Sequence, residues 1–442
     1  MKKVFALFSV VLFVFAGSAL VFSEEPKEIT FWLGGSTDDQ QLLLEEHMFG
    51  PFEEEHNVKF VVTYDANYDQ NLRSATLAGA GPDIYYTAGP GYVQDFAKEG
   101  YLLSLDDYAA QYGWKDIVLP AFWDLSVIDG HLYSIPQNYE TMEILYNARL
   151  FKENGWTDPK TIKTIDELFA LSEQIKQDGY EPHTAGNSTW RGTNEWFVTI
   201  WLDNVAGVDN VHKALTGELP WTAEPFQEAI TSLKDYFQNY FNKSYYAISG
   251  DDARYALIEG RSPMYFAGTW EFGILKQFAE EVGIDDWDWA PFPNKLADRY
   301  PIFSLGVGGT FSINKDSDVV DECAAFLNYL LSDKSLNRRM AEVWPGEWNF
   351  PVNIMTQEDY GDKIDPRFSN HLAVASKALD TGRFGYTTWT FYPQATMVYI
   401  IEGIEQVWSD QITVAQYLER VDEIFQEELA EGKVPNIPKP QL

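Results

Sequence analysis

One cysteine, six histidines, and 32 basic residues against 67 acidic ones are the shortages of this 442-residue chain, and each closes off a class of function. With Cys323 alone no intrachain disulfide can form, and no Cys/His spacing suits zinc. Histidines this scattered suggest no Ser/His/Asp arrangement. A formal net charge of −35 excludes nucleic acid as a partner, argues against an anionic surface, and weakly disfavours anionic ligands. No internal repeat or low-complexity block interrupts the chain. The Gly-rich stretch 306–313 (GVGGTFSI) looks like a phosphate loop, but it lacks the GK[ST] ending and opens into a strand. It therefore reads as close backbone packing. No cofactor or metal is expected.

Long apolar runs are also missing, except at the start. Lys2 and Lys3, the apolar run Val4 to Phe15 and the small-residue zone Ala16 to Ser23 read as a secretory signal, residues 1–23, cut before Glu24. Ala16 and Ser18 offer a competing site. The run is too short for a comfortable membrane span, and no cysteine near the cut could carry a lipid. The expectation is a soluble, exported chain, periplasmic or extracellular. Without two Lys of the signal the net charge becomes −37, and the 419 remaining residues exceed one typical core, so two lobes are expected. Cys323 falls in a helical pattern and reads as a small core residue.

Aromatics, in contrast, make up 16% of residues, including 15 Trp. That exceeds the needs of a core, and Trp-lined clefts suit sugars and other flat, amphipathic ligands. Ile29 to Leu33, Val58 to Tyr64 and Asp83 to Tyr86 read as strands, separated by helices at 39–55 and 67–78, which is the pattern of a parallel α/β sheet. Loops after such strands gather at their carboxyl ends, making 34–37 and 87–91 cleft candidates. Asp83 reads as capping its own turn. Ser262 to Lys276 (SPMYFAGTWEFGILK) reads as strand, Gly-Thr turn and helix, with Trp270 at the helix head beside unpartnered N–H groups.

Taken in order, ITFWLGG at Ile29, LAGAGPDIYYTAGPGYVQDFAKEGYLLSLDD at Leu77, HLYSIPQNYETMEILYNARLFKENG at His131, YFAGTWEFGIL at Tyr265, WDWAPFP at Trp287, GVGGTFSINKDS at Gly306 and IEGIEQVWSDQITVAQYLERVDEIF near the end form a signature. The chain resembles the extracellular sugar-binding proteins of bacterial ABC transporters, the family of maltose-binding protein. The resemblance implies a two-lobed, type II-like periplasmic-binding-protein fold, α/β in both lobes, with three crossovers and an interlobe cleft. It implies an N-terminal lobe of residues 24–140 and 303–362 and a C-terminal lobe of 141–302 and 363–442. Crossings fall near 138–142, 302–305 and 361–366. The implied partners are a neutral mono- or oligosaccharide and the membrane subunits of an ABC permease, with the chain a monomer that closes by hinge bending.

The same resemblance supplies site expectations. Trp270 matches the family's GTW turn; Trp196 falls where an aromatic ligand contact is expected, and Trp389 and Trp348 are further stacking candidates. Ser36 and Thr37 take the place of a charged pair, and Thr87 that of a Trp, so maltose itself is not implied. Asn138 and Glu140 sit at the first crossover, where a carboxylate accepts hydroxyl hydrogen bonds, and Glu347 is a further acid. The competing classes are a secreted glycosidase and a binder of a non-sugar ligand such as a polyamine. A glycosidase needs two opposed carboxylates, one kept protonated. Glu140 with Glu347 is such a pair, but 67 acids make pairs of this kind unavoidable. The preferred reading is a binding protein with no catalytic residues.

Overall fold

The computed structural model describes residues 25–442 apart from Gly35, Ala66, Asn67 and Ala88. The expected secretory signal lies outside the described residues. Three parallel strands open the chain: β1 (Lys27–Gly34), β2 (Val58–Asp65) and β3 (Ile84–Thr87), with β1 in the middle. Along β1, Ile29, Phe31 and Leu33 alternate inward, the period-2 pattern of a strand with one face on the core. Phe31 meets Phe49, Phe311 and Phe326 edge-on, with ring centroids 5.4 to 6.2 Å apart. Each such buried ring contributes about 1.5–3 kcal/mol of burial free energy.

Asp129 and Gly130, both at positive φ, turn β4 (Val127–Ile128) into β5 (His131–Leu132). β6 (Ile135–Pro136) then joins the first sheet, and the chain passes to β7 (Met142–Asn147), β8 (Met264–Gly268) and β9 (Trp287–Pro291), which form a second sheet of order β8-β7-β9. β7 is buried along its whole length, as a central strand covered on both faces must be. β10 (Phe303–Leu305) pairs in parallel with β12 (Phe384–Tyr386), and β11 (Thr310–Ile313) completes the first sheet, ordered β2-β1-β3-β11-β6. Two α/β lobes result, each built on its own sheet.

Two of the connections between the sheets run side by side. The Glu140 and Gly306 backbones exchange N–H···O bonds of 2.8 Å in both directions, and Gln137 N–H donates to the Gly309 carbonyl at 2.8 Å. The Gly-rich stretch is close-packed, as its sequence suggests. A Cβ on Gly308 would lie 2.1 Å from Glu140 Oε1, and one on Gly309 would lie 2.1 Å from Gln137 Oε1 and 2.2 Å from the Tyr86 ring. Their missing side chains are the space those groups occupy.

One local reading is refined and one corrected. The helix expected over 39–55 runs from Asp38 to His56 and widens by a turn at Glu45–Phe49. Pro51 has no N–H for the His47 carbonyl, and Arg339 Nε donates to that oxygen instead at 3.3 Å. Asp83 does not cap its own turn. Its carboxylate accepts from Thr30 N–H at 2.8 Å, from the Thr30 hydroxyl, and from Ser317 at 2.6 Å, because β3 lies directly against β1. Cys323 is buried in the helix Val320–Ser332, as expected.

Candidate functional site

The first connection between the sheets carries the polar centre. Asn138, 1% exposed, accepts from Gly308 N–H at 2.8 Å and donates to the Glu347 carbonyl at 3.1 Å and to Glu140 Oε1 at 3.3 Å. The other Glu140 oxygen accepts from the Trp389 indole N–H at 2.9 Å. Trp389 is held in the short helix Thr388–Phe391. There Thr387 donates to the Leu305 carbonyl from both its N–H and its hydroxyl, and Thr390 accepts from Val307 N–H. The segment 387–390 is thus bonded to both connections.

From Trp389 a row of indoles leads away. Its ring meets Trp270 edge-on at 6.0 Å, Trp270 meets Trp196 at 5.0 Å, and Trp196 meets Trp190 at 5.4 Å. Trp270 stands at the start of the helix Glu271–Val282, with its indole folded over Gly268, where a Cβ would lie 2.2 Å from the ring. Gly346 presses on the same turn, since a Cβ there would lie 1.9 Å from the Thr269 carbonyl oxygen. Glu347 is therefore brought beside Trp270 by its own loop and beside Glu140 by Asn138. Trp196 is 7% exposed and Trp190 53%, with Trp270 and Trp389 half-buried, so the row is deepest at Trp196 and reaches the surface at Trp190.

Carboxyls accompany the rings. Burial pushes Glu140 up to about 8, helped by the charge of Glu347. Burial also raises Glu347 to about 7, with Glu271 adding to the effect, and raises Glu195 to about 7. Glu195 accepts from the Thr388 hydroxyl at 2.6 Å. Glu271 is balanced: Arg254 binds it bidentately at 2.8 and 2.6 Å. Acceptors and ring faces together are what a hydroxyl-bearing ring with apolar C–H faces requires.

Other expected residues lie apart from this cluster or are occupied. Thr37 caps the helix Asp38–Leu44 in a reciprocal box with Gln40, and the half-buried Ser36 hydroxyl points to the Gly34 carbonyl at 3.5 Å. Thr87 is buried in β3, its hydroxyl on Thr310 and the Gly89 carbonyl. Trp348 is 5% exposed and lies parallel to Phe311 at 6.2 Å, so that face is already covered. Sequence reasoning overlooked Tyr68 and Tyr86, which meet at 5.1 Å beside Gly34, and Glu195. Tyr86 at the carboxyl end of a parallel strand was the available signal; nothing in the sequence marked Glu195.

A cavity of about 580 Å³ lies between the helices Pro90–Lys98 and Gln394–Trp408, lined by Tyr92, Trp389, Tyr392 and Tyr399 among others. Its size suits a small ligand. Trp389 is the ring shared by cavity and indole row; Trp196, Trp270 and Glu140 do not line it. Among the described residues no group of three or more His, Cys, Asp or Glu is placed to hold a metal, and no helix is long and apolar enough to cross a membrane.

Residues 34–336 match the family model described as bacterial extracellular solute-binding protein. An uncharacterised ABC transporter extracellular-binding protein of Pyrococcus horikoshii is 27% identical over 224 residues, half of this chain and 49% of that protein. The alpha-glucosides-binding periplasmic protein AglE of Rhizobium meliloti is 25% identical over 357 residues, 75% of this chain and 73% of that one. The alignment thus spans about half of the first relative's length and nearly three quarters of the second's. A solved chitin oligosaccharide binding protein superposes with a TM-score of 0.77 at 18% identity, over 92% of this chain and 100% of that one. At that identity the likeness concerns the fold.

Proposed function

This chain belongs to the bacterial extracellular solute-binding proteins, and on that premise we propose that it binds a sugar or oligosaccharide outside the cytoplasm and hands it to an ABC importer. The observation that carries the reading is the indole row Trp196–Trp270–Trp389 ending on Glu140, a residue of the connection between the two sheets. Ring faces take the C–H surfaces of a sugar, and Glu140, Glu195 and Glu347 take its hydroxyl protons. Because Trp389 and its neighbours are bonded to both connections, a ligand against that ring touches the elements about which two lobes would close. The lobes are read as 24–140 with 303–362 and 141–302 with 363–442. A relative named for alpha-glucosides supports the ligand class without fixing the sugar.

Glu140 and Glu347 also support a second reading, glycoside hydrolysis, since both are raised carboxyls at one locus. Calorimetric titration of the purified chain with a panel of mono- and oligosaccharides, followed by chromatography of the sugar, separates the two. Binding with the sugar recovered intact is the expected result. Cleaved sugar establishes the hydrolase, and no binding across the panel refutes the sugar reading.

A further inference from the structure

The indole row is not the only feature that starts from Trp389. The cavity of about 580 Å³ that this ring lines follows one face of the helix Gln394–Trp408, and two more cavities adjoin it. One, of about 370 Å³, shares Tyr92, Asp95 and Gln394 with it; the other, of about 530 Å³, shares Glu402 and continues to Gln406 and Ser409. The helix residues in these walls, Gln394, Val398, Glu402, Gln406 and Ser409, recur every three or four positions, while Thr396, Ile400, Gly403, Ile404 and Val407 bury the other face. At roughly 1.5 Å per residue, the 15 residues of the helix give the groove a length of roughly 22 Å. Its far end meets the far end of the row, since Arg191 lines the last cavity and Trp190 ends the indoles. A row and a groove that begin on one ring and finish on neighbouring residues describe an elongated site.

The charges in these walls are already spent. Arg73 pairs with Asp95 and Glu99, Arg191 with Glu405 and Glu402, and Lys433 with Glu431. Lys98 donates to the Gly432 carbonyl at 3.2 Å, and Glu428 accepts from the Ala395 and Thr396 N–H groups. A neutral ligand leaves these pairs intact, whereas a charged one competes with them. We propose that the ligand is a neutral oligosaccharide of three or more units, lying along the helix Gln394–Trp408 with Val398 against its middle and Tyr246 at its far end. The inference rests on the sugar reading above and adds the length of the ligand and the wall that reads it. Each cavity exceeds about 300 Å³, the lower size of a small-ligand pocket, so the three take at least one unit apiece. Val398 is 44% exposed and Tyr246 49%, and with the ring of Tyr92 they offer apolar surface to C–H faces. Gln394, Gln406 and Ser409 between them offer donors and acceptors to hydroxyls.

The probes are β-1,4-linked glucose, N-acetylglucosamine and xylose and α-1,4-linked glucose, each as a series from one unit to six. Tetra-alanine serves as an extended chain without a sugar ring. Calorimetric titration gives the affinity of each member. In a series that binds, the three-unit member is expected to bind at least about tenfold tighter than the single unit, equivalent to about 1.4 kcal/mol. Val398→Glu, which sets a charge in the groove from an exposed position, is expected to weaken the three-unit member at least about tenfold with the melting temperature of the free chain unchanged. Tyr246→Ala is expected to weaken the longest members and leave the shortest as they were. A single unit that binds as tightly as its three-unit homologue overturns the inference and leaves the sugar reading standing, and so do variants that bind every member as the parent does. Tetra-alanine bound with no sugar bound overturns both, and so does a panel in which nothing binds.

Discussion

Glu140→Gln isolates the carboxyl that its surroundings raise furthest among Glu140, Glu195 and Glu347. Glu140 is 8% exposed and its carboxyl is raised from 4.5 to about 8, first by burial and then by Glu347. Between those two values the folded chain holds a proton that the unfolded chain has released, so the contribution of Glu140 to folding stability is full below pH 4.5 and is lost as the pH rises toward 8. At about 1.4 kcal/mol per pH unit, that interval sets a ceiling of about 5 kcal/mol. A glutamine keeps an oxygen for the Trp389 indole and the same volume, but has no proton to lose. The stability of the variant relative to the parent should therefore rise with pH, by no more than about 5 kcal/mol between pH 4.5 and 9. Urea denaturation of both proteins across that range, followed by Trp fluorescence, gives the difference curve. A flat difference curve would refute the reasoning, because Glu140 would then titrate alike in the folded and unfolded chains. A curve that falls with pH would mean that a cationic group holds Glu140 ionised in the folded chain.

Adding Glu347→Gln should give a further gain above pH 7 smaller than the sum of the single effects, since the Glu347 charge is one of the causes that raise Glu140; a double-mutant cycle reads the coupling. Arg254→Ala strands the fully buried Glu271 and should cost about 3–5 kcal/mol at neutral pH, less in acid, by the same denaturation assay. Gly346→Ala places a methyl against the Thr269 carbonyl at a φ of +94°, and should lower stability by about 3 kcal/mol, read as a fall in melting temperature. Cys323, whose thiol burial pushes up, should react with a thiol reagent only after denaturation.

Elements whose pattern is local were legible in the sequence. The strands read at Ile29 to Leu33, Val58 to Tyr64 and Asp83 to Tyr86 are apolar runs bounded by turn residues, and they fold as Lys27–Gly34, Val58–Asp65 and Ile84–Thr87. The wide turn at Glu45–Phe49 was not, because its cause lies partly in Arg339, nearly three hundred residues on. The site divides in the same way. Trp270 stood out because a Gly-Thr turn between strand and helix is a local signal. The Glu195–Thr388 and Glu140–Trp389 bonds join residues 193 and 249 positions apart, and no pattern along the chain encodes such pairings. Thr37, expected at the ligand, instead closes a capping box with Gln40 three residues on.

The central claim is that two lobes close on a sugar held by the indole row. Small-angle scattering of the purified chain, with and without a saturating oligosaccharide that it binds, tests this most directly when Trp270→Ala is run beside the parent. The account predicts a smaller radius of gyration and a raised melting temperature for the parent with sugar, and neither change for the variant at the same concentration. Unchanged scattering in the parent despite binding, or equal closure in the variant, would contradict it.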